Sequence, residues 1–269
     1  MNFKTLIITL IIFNSVYSQK KDPYLDKYAM ISPDYYKNYL FDSGDLIISP
    51  LDWSWKNYAV LGLVTGAAMI TYNNDEYISD IFRSNKNDIN DNIAFAAEKL
   101  GNGFYVTGGL VTSYLVSNMI DNDRLRRTSL LALESFAITG IFAQSFKHLI
   151  HRHRPYENDG PYEFDGPSFS NSSLSLPSGH SATVFSTAKI INGCYSENKF
   201  LPYITYPLAF ITAVSRIYDN KHWPSDILLG AAFGYYSASV ILDSQKKKAF
   251  QFALIPSTEN VTLNLSYNF

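Results

Sequence analysis

The sequence contains very little cysteine and little charge. Cys194 is the one cysteine among 269 residues, which excludes an internal disulfide and the cysteine-rich kinds of metal site. Charged residues make up 17% of the chain and the formal net charge is −2, whereas a typical soluble protein has about 25% charged residues. Because a nucleic-acid binder needs a basic face for phosphates, a near-neutral chain with a pI of about 6.2 does not fit that class.

Aromatic residues, by contrast, are abundant, with 20 Tyr and 18 Phe. Few charges and many aromatics are typical of membrane spans and their interfacial belts. The mean hydropathy of −0.07 opposes this interpretation, since a chain made mostly of spanning helices is clearly positive on that scale. Composition therefore leaves both a membrane-embedded and a water-exposed protein open, in a chain long enough for one sizeable domain.

The N-terminus has the pattern of an export signal. Lys4 precedes an apolar run at 6–13, and small or tolerated residues stand just before Gln19. This order predicts a cleavable signal peptide over residues 1–18. The apolar run is shorter than the roughly 20 residues that a membrane span needs, so a transmembrane anchor is the weaker alternative.

Helical periodicity dominates the middle of the chain. After an irregular lead-in predicted over 19–54, we expect a helical catalytic domain over 55–245, in which apolar residues recur at the spacing of a helix face. The helices are predicted at 56–72, 104–120, 126–150, 200–217 and 226–243, with a shorter one after Gly179 and a weaker amphipathic one at 88–100. The expected fold class is therefore all-α, a six-helix bundle.

The C-terminal residues 246–269 change to a period of two. The basic run at 246–248 is expected to end the bundle, and apolar residues then alternate with polar ones from Val261 to Phe269. This alternation predicts a short C-terminal β-hairpin. The hairpin would pack on the bundle or pair with a second subunit, which makes a homo-oligomer possible.

Histidine is the most informative residue type. All five histidines lie between positions 148 and 222. Glycines such as Gly101 and Gly103 stand alone and form no glycine-rich phosphate loop. Three clusters around the histidines therefore bear most of the functional interpretation.

The first cluster is Lys147-His148-Leu149-Ile150-His151-Arg152-His153-Arg154-Pro155. Lys147 and Arg154 are nearly two helical turns apart, so a helix would project both cations from one face until Pro155 ends it. Two cations aimed at one point suit a phosphate. A solvated basic helix end is the simpler alternative. A zinc site at His148, His151 and His153 is weaker, because the neighbouring cations repel a metal ion.

The second cluster is Pro177-Ser178-Gly179-His180, directly ahead of helix-forming residues. Ser178 and Gly179 are expected to start a helix, whose free N–H groups make an anion site. His180 would then lie in the first turn, beside any bound anion. Taken alone, the tetrapeptide also fits an ordinary helix cap.

The third cluster joins Ser215-Arg216 to His222 and Asp226. A helix is expected to begin at Trp223-Pro224-Ser225-Asp226, since proline is tolerated in a first turn. Asp226 lies four residues beyond His222 and can orient one ring nitrogen, which leaves the other free to act as a nucleophile. Arg216 adds a third cation. An aspartate helix cap beside a structural histidine is the simpler alternative.

Taken together, the three clusters resemble the motifs of the type 2 phosphatidic acid phosphatase and vanadium haloperoxidase superfamily. Lys-x6-Arg-Pro, Pro-Ser-Gly-His and Ser-Arg-x5-His-x3-Asp occur in that order without a gap over residues 147–226. The helices expected from about 56 to 243 fit the helical bundle of this superfamily. The compact spacing favours its phosphatase branch, because the haloperoxidases are usually much longer.

The resemblance implies a role for each matching residue. His222 is the nucleophile that forms a phosphohistidine, Asp226 orients it, and His180 protonates the leaving alkoxide and later activates water. The phosphate oxygens are held by Lys147, Arg154, Ser178, Gly179 and Arg216. No metal or other cofactor is implied, because the cations stabilise the charge that phosphoryl transfer develops, and vanadate is expected to inhibit.

The expected activity is hydrolysis of a phosphate monoester or pyrophosphate, with a lipid as the most common substrate class that the resemblance implies. Phosphatidic acid, phosphatidylglycerol phosphate, undecaprenyl pyrophosphate and lipid A are the candidates. A soluble periplasmic acid phosphatase is the first alternative. The second alternative is a vanadium haloperoxidase, which would use vanadate as its cofactor. The third is a non-catalytic scaffold protein of the cell envelope.

The expected location is the periplasm or cell envelope, at a membrane surface and with the site on the non-cytoplasmic side. The predicted signal peptide supports export. If all six helices spanned the membrane, a cleaved signal would put the site in the cytoplasm, whereas the loop charges predict the opposite side. A bundle that does not span, or one with an interfacial segment, resolves this conflict. The connection at 73–102, expected on the same side as the site, is acidic, whereas Arg124, Arg126, Arg127 and the 246–248 lysines are expected on the far side. An integral inner-membrane protein is the alternative.

Overall fold

A computed structural model of the chain describes residue 31 and residues 33–253. This part of the chain folds into nine α-helices without a β-strand. The helices are α1 Pro33–Ile48, α2 Trp55–Tyr72, α3 Asp75–Ser84, α4 Asp88–Gly101, α5 Gly103–Met119, α6 Asp123–Ile150, α7 Gly179–Cys194, α8 Pro202–Tyr218 and α9 Pro224–Ala253. Short 3₁₀ helices occupy Ser49–Asp52 and Pro155–Glu157.

The all-α class is confirmed for these residues, but the six-helix bundle with a C-terminal hairpin is wrong. The helix α4 confirms the weaker helix predicted at 88–100, whereas α1 and α3 were not expected. The helix α1 occupies part of the lead-in that was expected to be irregular. The helix α9 continues through 246–253, where the hairpin was expected to begin. Lys, Gln and Ala are strong helix formers, so the basic run prolongs α9 instead of ending it.

The homo-oligomer was expected to form through the predicted hairpin. Because the first residues of that hairpin are helical, the structure gives no support to the homo-oligomer. The alternating residues 261–269 lie outside the described residues, as does the predicted signal peptide at 1–18.

Asparagine and serine side chains cap the N-termini of helices that surround the site. The side chain of Asn87 accepts hydrogen bonds from the amides of Ile89 and Asn90 at the start of α4. Asn122 accepts from Leu125 at the start of α6. These side chains satisfy amides that a helix leaves without a partner, so polar residues scattered along the sequence set the helix boundaries.

The helix α7 lies at the centre, packed against α6, α8 and α9. An apolar cluster joins α6, α7 and α9 through buried residues that include Ala132, Ile138, Ile190 and Ile241. Two glycines let α9 approach α7 closely. A Cβ atom at Gly230 would lie 2.5 Å from the carbonyl oxygen of Ser178, and one at Gly234 would lie 2.1 Å from that of Ala182.

Apolar surface is extensive on the outside of the protein. Ala68 is the buried residue of α2 and Ser117 that of α5. The large apolar side chains that these two helices expose include Leu61, Leu63, Met69, Ile70, Phe104, Leu115 and Met119. Exposed apolar surface of this extent marks a contact with a partner or a membrane.

Two described helical segments are long and apolar enough to cross a membrane, namely α6 and the Pro224–Lys246 part of α9. Half of the residues in each apolar window are buried against the rest of the protein. A core helix of a soluble protein meets the same two criteria, so length and composition alone do not decide between the two environments.

The close packing of α9 on α7 predicts opposite effects for two glycine-to-alanine substitutions. Gly234→Ala places a methyl group against backbone and should destabilise the fold by roughly 1–3 kcal/mol, the usual cost of overpacking. Gly140→Ala has open space around it and should be neutral or stabilising, because alanine favours a helix over glycine by about 1 kcal/mol. Thermal unfolding followed by circular dichroism measures both. An equal response of the two variants would contradict this packing.

Candidate active site

Lys147 and Arg154 converge on one carbonyl group. Lys147 is buried in the last turn of α6, and its Nζ donates to the carbonyl oxygens of Leu174 and Ser175. An Nη2 group of Arg154 donates to the same Leu174 oxygen at 3.0 Å. The structure therefore brings the two cations together, as the sequence predicted.

The expected reason for this convergence is wrong. The helix α6 ends at Ile150, and His151 has a left-handed backbone with φ of 46°. Arg154 follows in an extended conformation, where it precedes the 3₁₀ helix that begins at Pro155. The two cations thus do not share a helix face; the turn at His151 folds Arg154 back toward Lys147.

Ser178 starts α7, as expected, and joins this helix to α9. Ser178 is fully buried, its Oγ accepts from the amide of Ser181, and its own amide donates to the backbone oxygen of Asp226 at 3.0 Å. Gly179 is the first residue of α7 and His180 lies in its first turn. The free amides at this helix start suit an anion.

Arg216 holds the loop that contains His222. Arg216 is buried near the end of α8, where it pairs with Asp219. Its backbone oxygen accepts from the amides of Lys221 and His222 at 2.9 and 3.2 Å. This turn fixes His222 next to a third cation.

His222 is buried and faces Asp226. Its Nδ1 lies 3.7 Å from Oδ2 of Asp226, longer than a hydrogen bond. Burial, assisted by the charges of Lys147 and Arg154 and opposed by Asp226, lowers the pKa of His222 to about 3. The imidazole is therefore neutral near pH 7 and retains the lone pair that a nucleophile needs.

The Asp226 carboxylate is anchored by three hydrogen-bond donors. Nη1 of Arg152 donates to Oδ1 at 2.6 Å. The Oγ of Ser175 and the amide of Trp223 donate to Oδ2 at 2.5 and 2.9 Å. The carboxylate is thus fixed in place by the protein and presents a defined face to His222.

Arg152 and Asp75 form a buried network that sequence reasoning missed. Arg152 is 1% exposed and also donates through Nη2 to Oδ2 of Asp75 at 2.7 Å. Asp75, at the start of α3, accepts from the amide and Oγ of Ser225 at 2.8 and 2.6 Å. Arg152 lies within the first sequence cluster, so its proximity to the site could have been noticed from the sequence. Asp75 lies 77 residues away in sequence, so no local pattern marked it.

His180, in the first turn of α7, shares a nearby cation with His222. Burial, with the nearby charges of Arg216 and Lys147, lowers the pKa of His180 to about 4, against an opposing effect of Glu98. Lys147 acts on both histidines and Arg154 on His222. Lys147 therefore lies within electrostatic reach of both rings, with Arg216 near His180 and Arg154 near His222.

The remaining histidines are engaged elsewhere. The ring nitrogens of His153 lie 2.8 Å from Asp159 and 3.1 Å from Asp165, and these carboxylates raise its pKa. Although His153, Glu157 and Asp159 have donor atoms within 4.8 Å of one another, both ring nitrogens of His153 are already engaged by Asp159 and Asp165. His151 contacts the backbone oxygens of His148 and Ser170, so the three histidines of the first cluster do not share a centre.

Residues 128–250 match the family model of the PAP2 superfamily. Among curated proteins, the chain is 40% identical over 83 residues to a lipid A 1-phosphatase of Porphyromonas gingivalis, a match covering 29% of this chain and 18% of that protein. It is 32% identical over 103 residues to a lipid A 1-phosphatase of Rhizobium johnstonii, covering 36% of this chain and 39% of that protein. The matches thus span less than half the length of each relative.

Among solved structures, the fold is similar to a transmembrane PAP2 type phosphatidylglycerolphosphate phosphatase from Bacillus subtilis. The TM-score is 0.51 at 19% sequence identity, and the similarity covers 79% of this chain and 96% of that chain. At this identity the similarity establishes a shared fold.

The buried Arg152 predicts a large difference between two arginine substitutions. Arg152→Ala leaves the carboxylates of Asp75 and Asp226 buried without their cation and should destabilise the fold by roughly 3–5 kcal/mol. Arg83→Ala, which removes a partly exposed arginine that pairs with Glu76 and Asp80, should cost less than about 1 kcal/mol. Unfolding by denaturant compares the two variants. Similar losses of stability would show that the Arg152 network does not depend on charge pairing.

Proposed function

We propose that the chain, whose residues 128–250 match the PAP2 superfamily, is a metal-independent phosphatase acting on a phosphorylated lipid. The observation that carries the proposal is that His180 and His222 both lie near Lys147, with Arg216 near the first ring and Arg154 near the second. Phosphoryl transfer needs an in-line nucleophile and leaving group, with positive charge on the equatorial oxygens. Two buried histidines that share nearby cations support this chemistry.

In the first step, His222 attacks the phosphorus atom. Because Nδ1 faces Asp226, Nε2 is the attacking nitrogen, and the P–N bond forms as the bond from phosphorus to the leaving oxygen breaks. His180 donates a proton to that oxygen. Lys147, Arg154 and Arg216, with the amides at the start of α7, stabilise the charge that develops on the phosphate oxygens.

In the second step, water attacks the phosphohistidine. His180, now neutral, takes a proton from the water as its oxygen bonds to phosphorus, and the P–N bond breaks. Phosphate leaves and His222 returns to its neutral form. The anchored Asp226 compensates the positive charge on the His222 ring while the intermediate exists.

An apolar cavity supports a lipid substrate. The cavity, of about 270 Å³, lies between α3, α4 and α8, and Ser215 in its wall adjoins Arg216. Its other lining residues include Ile81, Phe82, Ile93, Phe210 and Val214. A phosphate held at the cations would place an attached acyl chain within reach of this cavity. The two curated relatives are lipid A 1-phosphatases, which makes lipid A the first candidate among the lipid phosphates.

Phosphate release by the purified full-length chain tests the proposal. We expect hydrolysis of lipid A, phosphatidic acid, phosphatidylglycerol phosphate or undecaprenyl pyrophosphate that resists EDTA and is inhibited by vanadate. His222→Ala should lower kcat by at least roughly 10³-fold, since the covalent nucleophile is lost. His148→Ala, a histidine outside the site, is the matched control and should retain activity.

Retention of activity by His222→Ala would overturn the proposed mechanism. Preference for p-nitrophenyl phosphate over every lipid would indicate a soluble acid phosphatase. Halide oxidation that depends on added vanadate would indicate a haloperoxidase.

We further propose that the protein is exported and membrane-associated, with its site on the non-cytoplasmic side. The N-terminal apolar run and the apolar surfaces of α2 and α5 support this location. The loop at 156–176, which adjoins the site, and the turn between α7 and α8 lie at opposite ends of α7, roughly 24 Å apart at 1.5 Å per residue. Labels at these two ends therefore report on opposite sides of the bundle.

Cysteine labelling of intact cells tests this orientation. In a Cys194→Ala background, Phe169→Cys, at a fully exposed position of the loop, should react with a membrane-impermeant maleimide. Labelling of Phe169→Cys only after permeabilisation would contradict the orientation. Lys199→Cys, exposed in the turn after α7, separates two forms of the proposal: protection indicates a spanning bundle, and labelling indicates a bundle at the membrane surface.

A further inference from the structure

Glu98 lies beside His180 although it belongs to none of the three clusters. It is located on α4, before the 128–250 region that matches the PAP2 superfamily. Its Oε1 is 3.5 Å from Nε2 of His180. That nitrogen is buried and makes no hydrogen bond among the described residues, so the carboxylate is the group placed to pair with it.

The side chain of Glu98 is held in this position. The Nδ2 group of Asn102 donates to Oε1 at 2.9 Å. The Oδ1 atom of Asn102 in turn accepts from the amide of Phe104 at the start of α5. Glu98 is thus tied to the junction of two helices, with 26% of its side chain exposed.

Gly101 allows α4 to reach His180. A Cβ atom at this position would lie 2.9 Å from Cδ2 of His180 and 3.0 Å from Cγ2 of Thr212. Real Cβ atoms do not approach this closely without displacing a neighbour. The missing side chain at Gly101 therefore permits the contact that brings Glu98, one helical turn earlier, to the imidazole.

The charges around His180 determine how easily its ring is protonated, and the Glu98 carboxylate is one of them. Arg216 on α8 and Lys147 on α6 face the ring and, with burial, disfavour its protonated form. Glu98 on α4 acts in the opposite direction. Although burial opposes it, the Asn102 amide and His180 hold the pKa of Glu98 below its usual value, so the carboxylate is ionised. A general acid must carry its proton before it can donate it.

Resting on the proposed function, we propose that Glu98 is a positioning residue for His180. Its carboxylate orients the ring through Nε2 and stabilises the imidazolium, so that Nδ1 delivers the proton to the leaving oxygen. Glu98 remains ionised throughout; the proton moves from Nδ1 to the leaving oxygen in the first step and from water to Nδ1 in the second. Two histidine–carboxylate pairs, His222–Asp226 and His180–Glu98, then serve the two sides of the phosphate.

Leaving-group dependence distinguishes this role from a structural one. Glu98→Gln keeps the shape of the side chain and removes its charge. With phosphatidic acid, whose alkoxide needs a proton to leave, kcat should fall roughly 10- to 100-fold, part of the ~10²–10⁴-fold that general acid–base catalysis contributes. With p-nitrophenyl phosphate, whose phenolate leaves without a proton, the fall should be much smaller. KM should change little for either substrate.

The pH profile should change in a defined direction. Removing the carboxylate lowers the pKa of His180, so the activity that depends on the imidazolium should be lost at a lower pH in Glu98→Gln than in the wild type. Asp88→Asn removes one negative charge from an exposed position on the same helix and is the matched control. It should change neither the pH profile nor the dependence of kcat on the leaving group. Glu98→Asp should restore part of the activity on phosphatidic acid.

Two results would overturn the proposal. One is an equal loss with both substrates; the other is a pH profile of Glu98→Gln that coincides with the wild-type profile. Gly101→Ala provides a second variant, and its Cβ atom should separate α4 from His180 and produce the same preference for the better leaving group. Circular dichroism confirms that each variant is folded.

A chemical modification experiment that does not depend on enzyme activity distinguishes failure of this proposal from failure of the proposed function. Diethyl pyrocarbonate acylates neutral imidazole, and mass spectrometry measures the reaction at His180. Modification of His180 should persist to a lower pH in Glu98→Gln than in the wild type. If the wild type hydrolyses none of the phosphates, the proposed function fails, and this shift still decides whether Glu98 sets the proton affinity of His180.

Discussion

The buried Arg152 guanidinium is the interaction on which the rest of the site depends. It lies between the carboxylates of Asp75 and Asp226, both fully buried, and also donates to the backbone oxygen of Pro161. Charges removed from water are tolerated only when they are paired and hydrogen-bonded. Because each carboxylate belongs to a different helix, satisfying this one cation fixes α3, α9 and the loop after α6 relative to one another.

The position of Asp226 beside His222 follows from this arrangement. Asp226 is held on one oxygen by Arg152 and on the other by Ser175 and Trp223, so its position does not depend on His222. Its backbone oxygen also receives the amide of Ser178, which ties the anion-binding start of α7 to the same residue. Preorganised groups of this kind stabilise developing charge without rearranging during the reaction.

The sequence predicted which side chains lie close together better than it predicted the helix boundaries. Short-range chemistry identified His222 and Asp226, because four residues on a helix start bring them together. Lys147 and Arg154 were paired for the wrong reason, since a left-handed residue, not a continuous helix, returns the second cation to the first. The expected hairpin failed because a run of lysines was interpreted as a helix end, although lysine favours helix. Asp75 and Glu98 had no local signal, since only tertiary packing brings them to the site.

The scarcity of charge in this chain has a structural counterpart. Lys147, Arg152, Arg216 and Asp226 are all buried, so several of the chain's few charges are removed from water around the candidate site. Electrostatic interactions are stronger there than at the surface, which makes the placement of each carboxylate decisive. Asp226 accepts from three donors and lies 3.7 Å from its histidine. Glu98 accepts from the Asn102 amide and lies 3.9 Å from the Lys99 ammonium and 3.5 Å from the His180 ring. Two histidines in one positive environment can therefore take opposite roles, because the carboxylate beside each is bound differently.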